Sequence, residues 1–427
     1  MPLSTLAPVP EIFLSLAWQV AERTSLWYNY CHMKKFQLGL LSRIVLAIVL
    51  GVALGHFAPA SAVRATNTFS SIFDQLIKFI VPLIIIGFVT PVIAETGRGA
   101  GRLLLLTVGI AYASTLISGV MGYMASTALF PGLVDVAHAA PDTAAREFPP
   151  FFKVAIPPLA DVMSALVFAF ICGLGIVTTG AQVLKSAAIE FRDIVKKAVS
   201  KVIVPLLPLY IFAIFLDMTA AGMAVVVIRT FAAVIAITFA LTLILLLLQF
   251  AVAALVAHCN PLRKLWGMFP AYMTAMGTSS SAATIPVTLR QTIANGVRPS
   301  TANFVIPLCA TVHLAGSMIK LVCFTVALLL IAGKTPALVP FLGFIALTGI
   351  TMVAAPGVPG GAVMAAVGLI ASFFSFSPAE QGLIIALYVS TDGFGTACNI
   401  TGDGAIALIV DRIAGKNETE GQPTPTT

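Results

Sequence analysis

The sequence predicts an all-α polytopic membrane protein with eight transmembrane helices and two re-entrant helical hairpins. Of its 427 residues, 59% are hydrophobic and only 10% are charged, and the mean hydropathy is +1.02. A soluble domain of this length could not bury so much apolar surface, whereas a helix needs about 20 apolar residues to cross a bilayer. Such stretches recur along the chain, and two of the later ones contain residues that end helices.

Six apolar stretches predict the first six transmembrane helices, at about 38–57, 72–94, 103–130, 159–180, 199–218 and 223–258. Four later stretches are apolar but are interrupted by Ser, Gly, Pro and charged residues: 265–295, 303–332, 338–374 and 378–411. The chain thus divides into an N-terminal extension, helices 1–6, a C-terminal core and a tail: 1–32, 33–261, 262–415 and 416–427.

The two ends of the chain differ in character from the rest. The extension lacks a basic start and an obvious cleavage site, so it does not resemble a signal peptide. Met33-Lys34-Lys35 opens directly onto the first apolar stretch, which suggests that the native chain starts there or that the extension is dispensable. The polar, Pro- and Thr-rich tail is expected to be disordered.

Charged residues in the loops predict the orientation. Basic residues recur in every second loop: Lys34, Lys35, Arg98, Arg102, Lys185, Arg192, Lys196, Lys197, Lys201, Arg263, Lys264, Arg412 and Lys416. The loop at 131–158 is net acidic instead. By the positive-inside rule both termini are cytoplasmic, in the cell inner (plasma) membrane. The net charge of +7 is therefore explained without a nucleic-acid partner, and the scattered cysteines indicate neither a disulfide framework nor a zinc site.

Two polar breaks interrupt the C-terminal apolar stretches. They read GTSSSAATIPVTLR at 277–290 and AAPGVPGGAVM at 354–364, and their Pro and Gly residues end helices. The apolar arms beside each break are too short to cross a bilayer. This favours two re-entrant hairpins over ordinary loops between short spans, since non-helical backbone at membrane depth must be buried in protein or line a cavity. Helix N-termini at such tips can bind an anion.

The last apolar stretch carries the polar sequence STDGFGTACNITGD at 390–403. Asp392, Asn399 and Asp403 are spaced by about two turns and one turn, so they share one face of a helix. Ionisable residues inside a membrane usually mark a functional site. We interpret this polar face as one wall of a binding site; structural hydrogen bonding inside the bundle is the alternative.

Two basic residues lie in the middle of the stretch 303–332. Lys320 is too deep to reach the membrane surface easily. Its spacing from Ser317 and His313 predicts that all three project from one helical face. Histidine titrates near neutral pH, so His313 is either a proton-coupling group or a core histidine held by hydrogen bonds.

In its order of motifs the sequence resembles the dicarboxylate/amino acid:cation symporters, which include sodium-coupled glutamate and aspartate transporters and a bacterial serine/threonine branch. The motifs are the Ser-rich hairpin, IPLCATVHLAGS at 306–317, the Pro/Gly hairpin and DGFGTACNITGD in the last helix. The resemblance extends over about residues 38–412. It implies a homotrimeric secondary transporter in membrane lipid, not an enzyme, in which an elevator motion carries the C-terminal core and helix 3 past a fixed scaffold.

The resemblance also assigns substrate contacts. Asp392 matches the ligand of a substrate amino group, and Thr396, Asn399 and Ser317 match further substrate contacts. The hairpin tips supply backbone contacts near Ser280, Ser281 and Val358. The candidate residues of the coupling-cation site are Cys309, His313, Asn399, Asp403, Ser114 and Thr115. No cofactor is expected apart from the coupling cation, Na⁺ or H⁺.

Three departures from the family pattern affect specificity and coupling. Gly395 replaces the arginine that holds the second carboxylate of acidic amino acids. The motif Asn-Met-Asp-Gly-Thr reads His313-Leu314-Ala315-Gly316-Ser317, which removes a carboxylate and a thioether used around sodium, and Ala355 replaces a hydroxyl residue. We hypothesise that Lys320 replaces the arginine, with Gly395 leaving room for its ammonium. It would either pair with Asp392 or bind a substrate carboxylate.

The sequence therefore predicts a cation-coupled symporter of a small carboxylate, with an amino acid favoured. An acidic amino acid or a C4-dicarboxylate is preferred by a narrow margin and depends on Lys320. The alternative is a sodium- or proton-coupled transporter of small neutral amino acids such as serine and threonine. Nothing resembles the repeated filter of a channel. An intramembrane protease is not favoured either, since H-E-x-x-H is absent and Ile400–Asp403 lacks the first glycine of G-x-G-D.

Overall fold

The computed structural model describes residues 39–96, 102–132, 148–222, 224–353 and 360–420. Within these ranges every regular element is helical. Seven segments are long and apolar enough to cross a membrane: Ala60–Ala94, Leu103–Leu129, Val162–Thr179, Gln182–Ala220, Ile228–Ala257, Pro299–Ile331 and Asp392–Ala414. The predicted class, an all-α multi-pass membrane protein, is confirmed at this level.

The first half of the chain forms long helices. They are α1 (Leu40–Gly55), α2 (Ala60–Thr96), α3 (Arg102–Leu129), α4 (Val162–Thr179), α5 (Gln182–Ala198), α6 (Val204–Ala220) and α7 (Ala224–Ala257). A π-helical turn, Val199–Ile203, joins α5 to α6. The basic segment predicted as a loop before the fifth stretch is therefore helical. It continues into α6 because no helix-breaking residue separates the two.

The Ser-rich break forms the tip of a helical hairpin. Its helices are α8 (Pro261–Gly267), α9 (Phe269–Thr278) and α10 (Ser281–Ala294). Ser279 turns the chain with a left-handed backbone at φ 49°. Ser280 then caps α10, since its side chain accepts a hydrogen bond from the Ala283 N–H at 3.3 Å, which satisfies a free N–H of the first turn.

The second break lies between α13 (Leu338–Val353) and α14 (Gly361–Phe374). Gly360 precedes α14 at φ 78°, a left-handed conformation that favours glycine. The tip itself, 354–359, lies outside the described residues, and with it Val358 and Ala355.

Two of the later apolar stretches, 303–332 and 378–411, are each divided into two helices. The first gives α11 (Pro299–Val312) and α12 (Ala315–Ile331), and the second gives α15 (Pro378–Ser390) and α16 (Asp392–Glu420). α16 extends through the first five residues of the predicted tail, from Lys416 to Glu420, while 421–427 lie outside the described residues.

The break between α11 and α12 corrects one prediction. His313 has an extended backbone, at φ −99° and ψ 103°, so it does not share a helical face with Ser317 and Lys320, which both lie on α12. The backbone leaves the helix here because side chains of other helices replace the helical hydrogen bonds. The Leu314 N–H bonds to Thr115 Oγ1 at 3.2 Å, and the Gly316 N–H bonds to Asn399 Oδ1 at 2.8 Å.

Small residues bring α12 against α16. A side chain at Gly316 would lie 2.7 Å from the Gly395 carbonyl oxygen and 2.5 Å from Cys398 Cβ. Close backbone approach of this kind is typical of helices that pack inside membranes. All residues of α12 from Ala315 to Leu329 are buried, so its polar side chains are held at the centre of the fold.

Candidate binding site

A cavity of about 130 Å³ lies where the two hairpins meet the two divided helices. Its polar lining comes mainly from hydroxyl and amide groups. The polar side chains are Ser279, Ser280, Ser281, Thr311, Ser317, Tyr388, Asp392, Thr396 and Asn399. Six residues predicted to contact the substrate thus lie around one cavity: Ser280, Ser281, Ser317, Asp392, Thr396 and Asn399.

Two of the predicted substrate residues that the structure describes, Lys320 and Gly395, do not line this cavity. Val358 lies outside the described residues. Thr311 and Tyr388 line the cavity and were not predicted. Both lie close to the interruptions between helices at His313 and Thr391, which the sequence did not predict.

Asp392 is the only acidic residue among those that line the cavity within the described part of the chain. Its Oδ2 accepts a hydrogen bond from the backbone N–H of Gly360 at 2.8 Å, at the start of α14. Its Oδ1 lies 3.6 Å from Lys320 Nζ. The carboxylate therefore connects the second hairpin to α12.

Lys320 is fully enclosed, with 1% of its surface exposed. Its Nζ donates to the carbonyl oxygens of Thr391 at 3.0 Å and Tyr388 at 3.5 Å, and lies 4.0 Å from the centre of the Tyr388 ring. These carbonyls belong to the C-terminal end of α15, where the helix dipole favours a cation, and the ring face attracts the ammonium as well. The ammonium thus lies behind Asp392.

Gly395 provides the space that Lys320 occupies. A Cβ atom at this position would lie 2.5 Å from Lys320 Cε and 2.8 Å from Nζ, closer than van der Waals contact allows. The expectation that a small residue here leaves room for the ammonium agrees with this geometry. The Lys320 side chain therefore passes directly beside Gly395.

Asn399 organises the start of α12. Its Oδ1 accepts from the backbone N–H groups of Gly316 at 2.8 Å and Ser317 at 3.3 Å. Its Nδ2 donates to Ser317 Oγ at 3.0 Å. The two side chains therefore form one hydrogen-bonded unit on the cavity wall, and each fixes the orientation of the other.

A second polar cluster is buried further along α16. His313 Nδ1 lies 2.9 Å from Asp403 Oδ1 and 3.3 Å from the Asn399 carbonyl oxygen. On the other side of the ring, His313 Nε2 lies 3.1 Å from Ser114 Oγ. Since a carboxylate oxygen cannot donate, the short contact with Nδ1 requires one proton between imidazole and carboxyl group.

Gln249 completes this cluster and was not predicted. Its Nε2 donates to Ser114 Oγ at 2.9 Å and lies 3.3 Å from His313 Nε2. Two buried oxygens of the cluster, Asp403 Oδ2 and Gln249 Oε1, have no hydrogen-bond partner among the described residues. The signal that could have found Gln249 is that it is the single amide side chain in the mainly apolar stretch 223–258.

Thr115 and Cys309, the other two residues predicted for the cation site, contact backbone groups and the apolar core instead. Thr115 Oγ1 donates to the Ala111 carbonyl at 2.9 Å and accepts from Leu314. Cys309 is buried in an apolar cluster, and its carbonyl accepts from the His313 N–H at 2.8 Å. Among the described residues, no three His, Cys, Asp or Glu side chains form a group that could hold a metal ion.

The chain is similar in sequence to known membrane transporters. A family model described as the sodium:dicarboxylate symporter family matches residues 40–413. The serine/threonine transporter SstT of Acinetobacter baumannii is 26% identical over 401 residues, which cover 88% of this chain and 97% of that protein. The neutral amino acid transporter B(0) of Mus musculus is 30% identical over 181 residues, which cover 39% of this chain and 32% of that protein.

Proposed function

The chain belongs to the sodium:dicarboxylate symporter family, and on that premise we propose that it couples the uptake of a small neutral amino acid to a cation gradient. As a member of this family it is a multi-pass membrane transporter and not an enzyme, and its similarity over 88% of the chain to a serine/threonine transporter supports amino acid symport. The substrate, the coupling ion and the transport mechanism are our proposals.

The observation that carries the proposal is the position of the Lys320 ammonium. An acidic substrate needs a cation for its second carboxylate. The sequence-based preference for an acidic substrate therefore depended on Lys320 facing the cavity. The ammonium instead binds carbonyls of α15 behind Asp392. No Lys, Arg or His lines the cavity among the described residues, so a second carboxylate would be buried without a counter-charge, which is costly.

A neutral zwitterionic amino acid matches the remaining groups. Asp392 faces the cavity and retains acceptor capacity for a substrate ammonium, since a carboxylate has about four lone-pair sites. The start of α10, after Ser280, presents backbone N–H groups and the positive end of a helix dipole to a carboxylate. The hydroxyl groups of Thr311 and Thr396 suit a short polar side chain.

The names of the similar proteins point the same way. One is a serine/threonine transporter and the other a neutral amino acid transporter. We transfer the small neutral substrate class to this chain as a proposal only, because the second match covers less than half of either protein.

A C4-dicarboxylate is the second candidate. Lys320 already provides a cation for Asp392 at 3.6 Å, so the site does not require a substrate ammonium. This candidate needs the N-termini of the hairpin helices to bind both carboxylates. We rank it second because the cavity presents the carboxylate of Asp392 itself to the substrate.

The proposed coupling centre is the cluster of His313, Asp403 and Ser114. A proton is favoured by the short His313–Asp403 contact and by Ala315, which replaces a carboxylate of the sodium-coupled family members. Na⁺ is favoured by Asp403 Oδ2 and the Asn399 carbonyl, both oxygen ligands. Either ion would be carried as a co-substrate with the amino acid.

The assembly and topology follow from the family as proposals. We propose a homotrimer in the cell inner membrane, with both termini cytoplasmic. Residues 262–415, together with α3, would form the moving core of an elevator, and the other helices its scaffold.

The direct test is uptake by purified protein in proteoliposomes. Labelled serine, aspartate and succinate are offered separately, each with a Na⁺ gradient alone or a proton gradient alone. We expect serine uptake with one of the two gradients. Accumulation of aspartate but not serine would contradict the neutral substrate, and accumulation of succinate alone would favour the second candidate.

A further inference from the structure

Lys320 occupies a cation site formed by the protein itself. The ammonium meets the carboxylate of Asp392, the last carbonyls of α15 and the face of the Tyr388 ring. All these groups attract a positive charge. The lysine stem comes from α12, across the space left by Gly395. A mobile cation could bind the same groups, but here the cation is covalently attached.

The pair matters most when the substrate is absent. Any symporter must return across the membrane without substrate after each delivery. Without Lys320, Asp392 would then be a buried carboxylate that has no counter-charge, and such a group is costly to hold inside a bilayer. With Lys320 beside it, the site is neutral when empty and neutral again with a zwitterion bound.

The pair also reaches the second hairpin. Asp392 Oδ1 faces Lys320 while Oδ2 holds the backbone N–H of Gly360. Lys320 thereby orients the carboxylate that fixes the start of α14. The hairpin end can stay attached to α16 when no substrate bridges them.

From this geometry, and resting on the proposed symport, we propose that Lys320 is a built-in counter-ion that allows the substrate-free protein to return across the membrane. It is a positioning residue for Asp392 and does not touch the substrate. Its removal impairs the return of the empty protein and leaves the movement of the loaded protein largely intact, because a bound substrate ammonium then pairs with Asp392 while the substrate carboxylate is bound at the N-terminus of α10.

Two transport assays separate these steps. Net uptake into vesicles without internal substrate requires the empty return. Exchange of external labelled substrate for internal unlabelled substrate requires only loaded movement. The variant is Lys320→Met, which keeps most of the side-chain length and removes the charge. The matched control is Lys334→Met, at an exposed lysine in the segment after α12.

We expect Lys320→Met to lower net uptake about a hundredfold, the scale for loss of one member of a buried ion pair. Exchange falls by less than about tenfold, and Lys334→Met changes neither. Equal losses of uptake and exchange, or no loss of either, would overturn the proposal.

A second variant addresses misfolding. Lys320→Met combined with Asp392→Asn makes both members neutral and removes the unpaired charge. Substrate affinity decreases, so the quantity compared is the ratio of net uptake to exchange at saturating substrate. The proposal expects this ratio to recover towards that of the wild type; a ratio as low as in Lys320→Met alone contradicts it. Wild-type protein that neither takes up nor exchanges any substrate offered would instead refute the proposed function.

Discussion

Asp392 and Asp403 lie on the same helix, and each faces a basic side chain, yet their surroundings differ. Both oxygens of Asp392 have partners, one of them a lysine, and the residue lines the cavity. Asp403 is completely buried, one of its oxygens has no partner among the described residues, and its neighbour is a histidine. The charge of Asp392 is balanced by its partners, whereas Asp403 keeps one oxygen available for a further ligand. This difference supports our proposal that the substrate binds around Asp392 and that coupling depends on the region around Asp403.

The largest expected effect comes from neutralising Asp403. Asp403→Asn removes the negative charge that a coupling ion needs and that faces His313 Nδ1. We expect gradient-driven accumulation to fall about a hundredfold or more, measured as initial uptake in proteoliposomes. Asp193→Asn, at an exposed carboxylate of α5, serves as the control. If Asp403→Asn accumulated substrate normally, coupling would have to reside elsewhere.

A methyl group at position 395 tests whether the Lys320 position is fixed. Gly395→Ala places Cβ 2.5 Å from Lys320 Cε, and overpacking of this kind costs about 1–3 kcal/mol. We expect net uptake to decrease roughly tenfold. The control is Gly175→Ala on α4, where a Cβ meets nothing within 4 Å. Unchanged uptake in Gly395→Ala would mean that the ammonium can move without consequence.

The break before α12 gives a smaller effect, on stability. Thr115→Val removes the hydroxyl that accepts from the Leu314 N–H at 3.2 Å. A buried N–H without a partner lowers the free energy of unfolding by about 1–3 kcal/mol. We expect a lower melting temperature of the detergent-solubilised protein. Thr179→Val is the comparison, since that exposed hydroxyl bonds to the Gly175 carbonyl of its own helix.

The smallest effect is expected at Gln249. Gln249→Leu removes one hydrogen bond to Ser114, worth about 0.5–1.5 kcal/mol, so uptake should decrease by up to about tenfold. Gln249 contacts Ser114 and His313, which belong to the region around Asp403 and not to the region around Asp392. The ratio of net uptake to exchange should therefore stay as in the wild type. A change in that ratio would show that the two regions are not independent. Gln182→Leu, at an exposed position of α5, is the control.

Local patterns were sufficient wherever neighbours in sequence decide the outcome. The apolar stretches predicted the membrane class, and the Ser-rich break predicted a hairpin whose tip lies at Ser279 and Ser280. The spacing of Asp392, Asn399 and Asp403 predicted their common helix, because helical periodicity depends only on residue number. The cavity then joined six of the predicted substrate residues.

Contacts between distant segments could not be predicted in the same way. In the stretch 303–332, neither His313 nor the residues directly beside it are glycine or proline. Nothing in the local sequence therefore indicates that the helix ends there. It ends because Thr115 and Asn399, from other helices, satisfy the freed backbone groups. Gln249 was not predicted for the same reason, since its contacts with Ser114 and His313 join segments that are distant in sequence.

By itself the sequence determined the membrane class, the Ser-rich hairpin and the residues that could carry charge in the site. Only the tertiary structure decided which way each charge points. Lys320 could have faced the substrate or the back of Asp392, and its spacing on α12 allows both. The carbonyls at the end of α15, the Tyr388 ring and the space at Gly395 hold the ammonium behind the carboxylate, because a buried cation lies where several groups from different helices can neutralise it together.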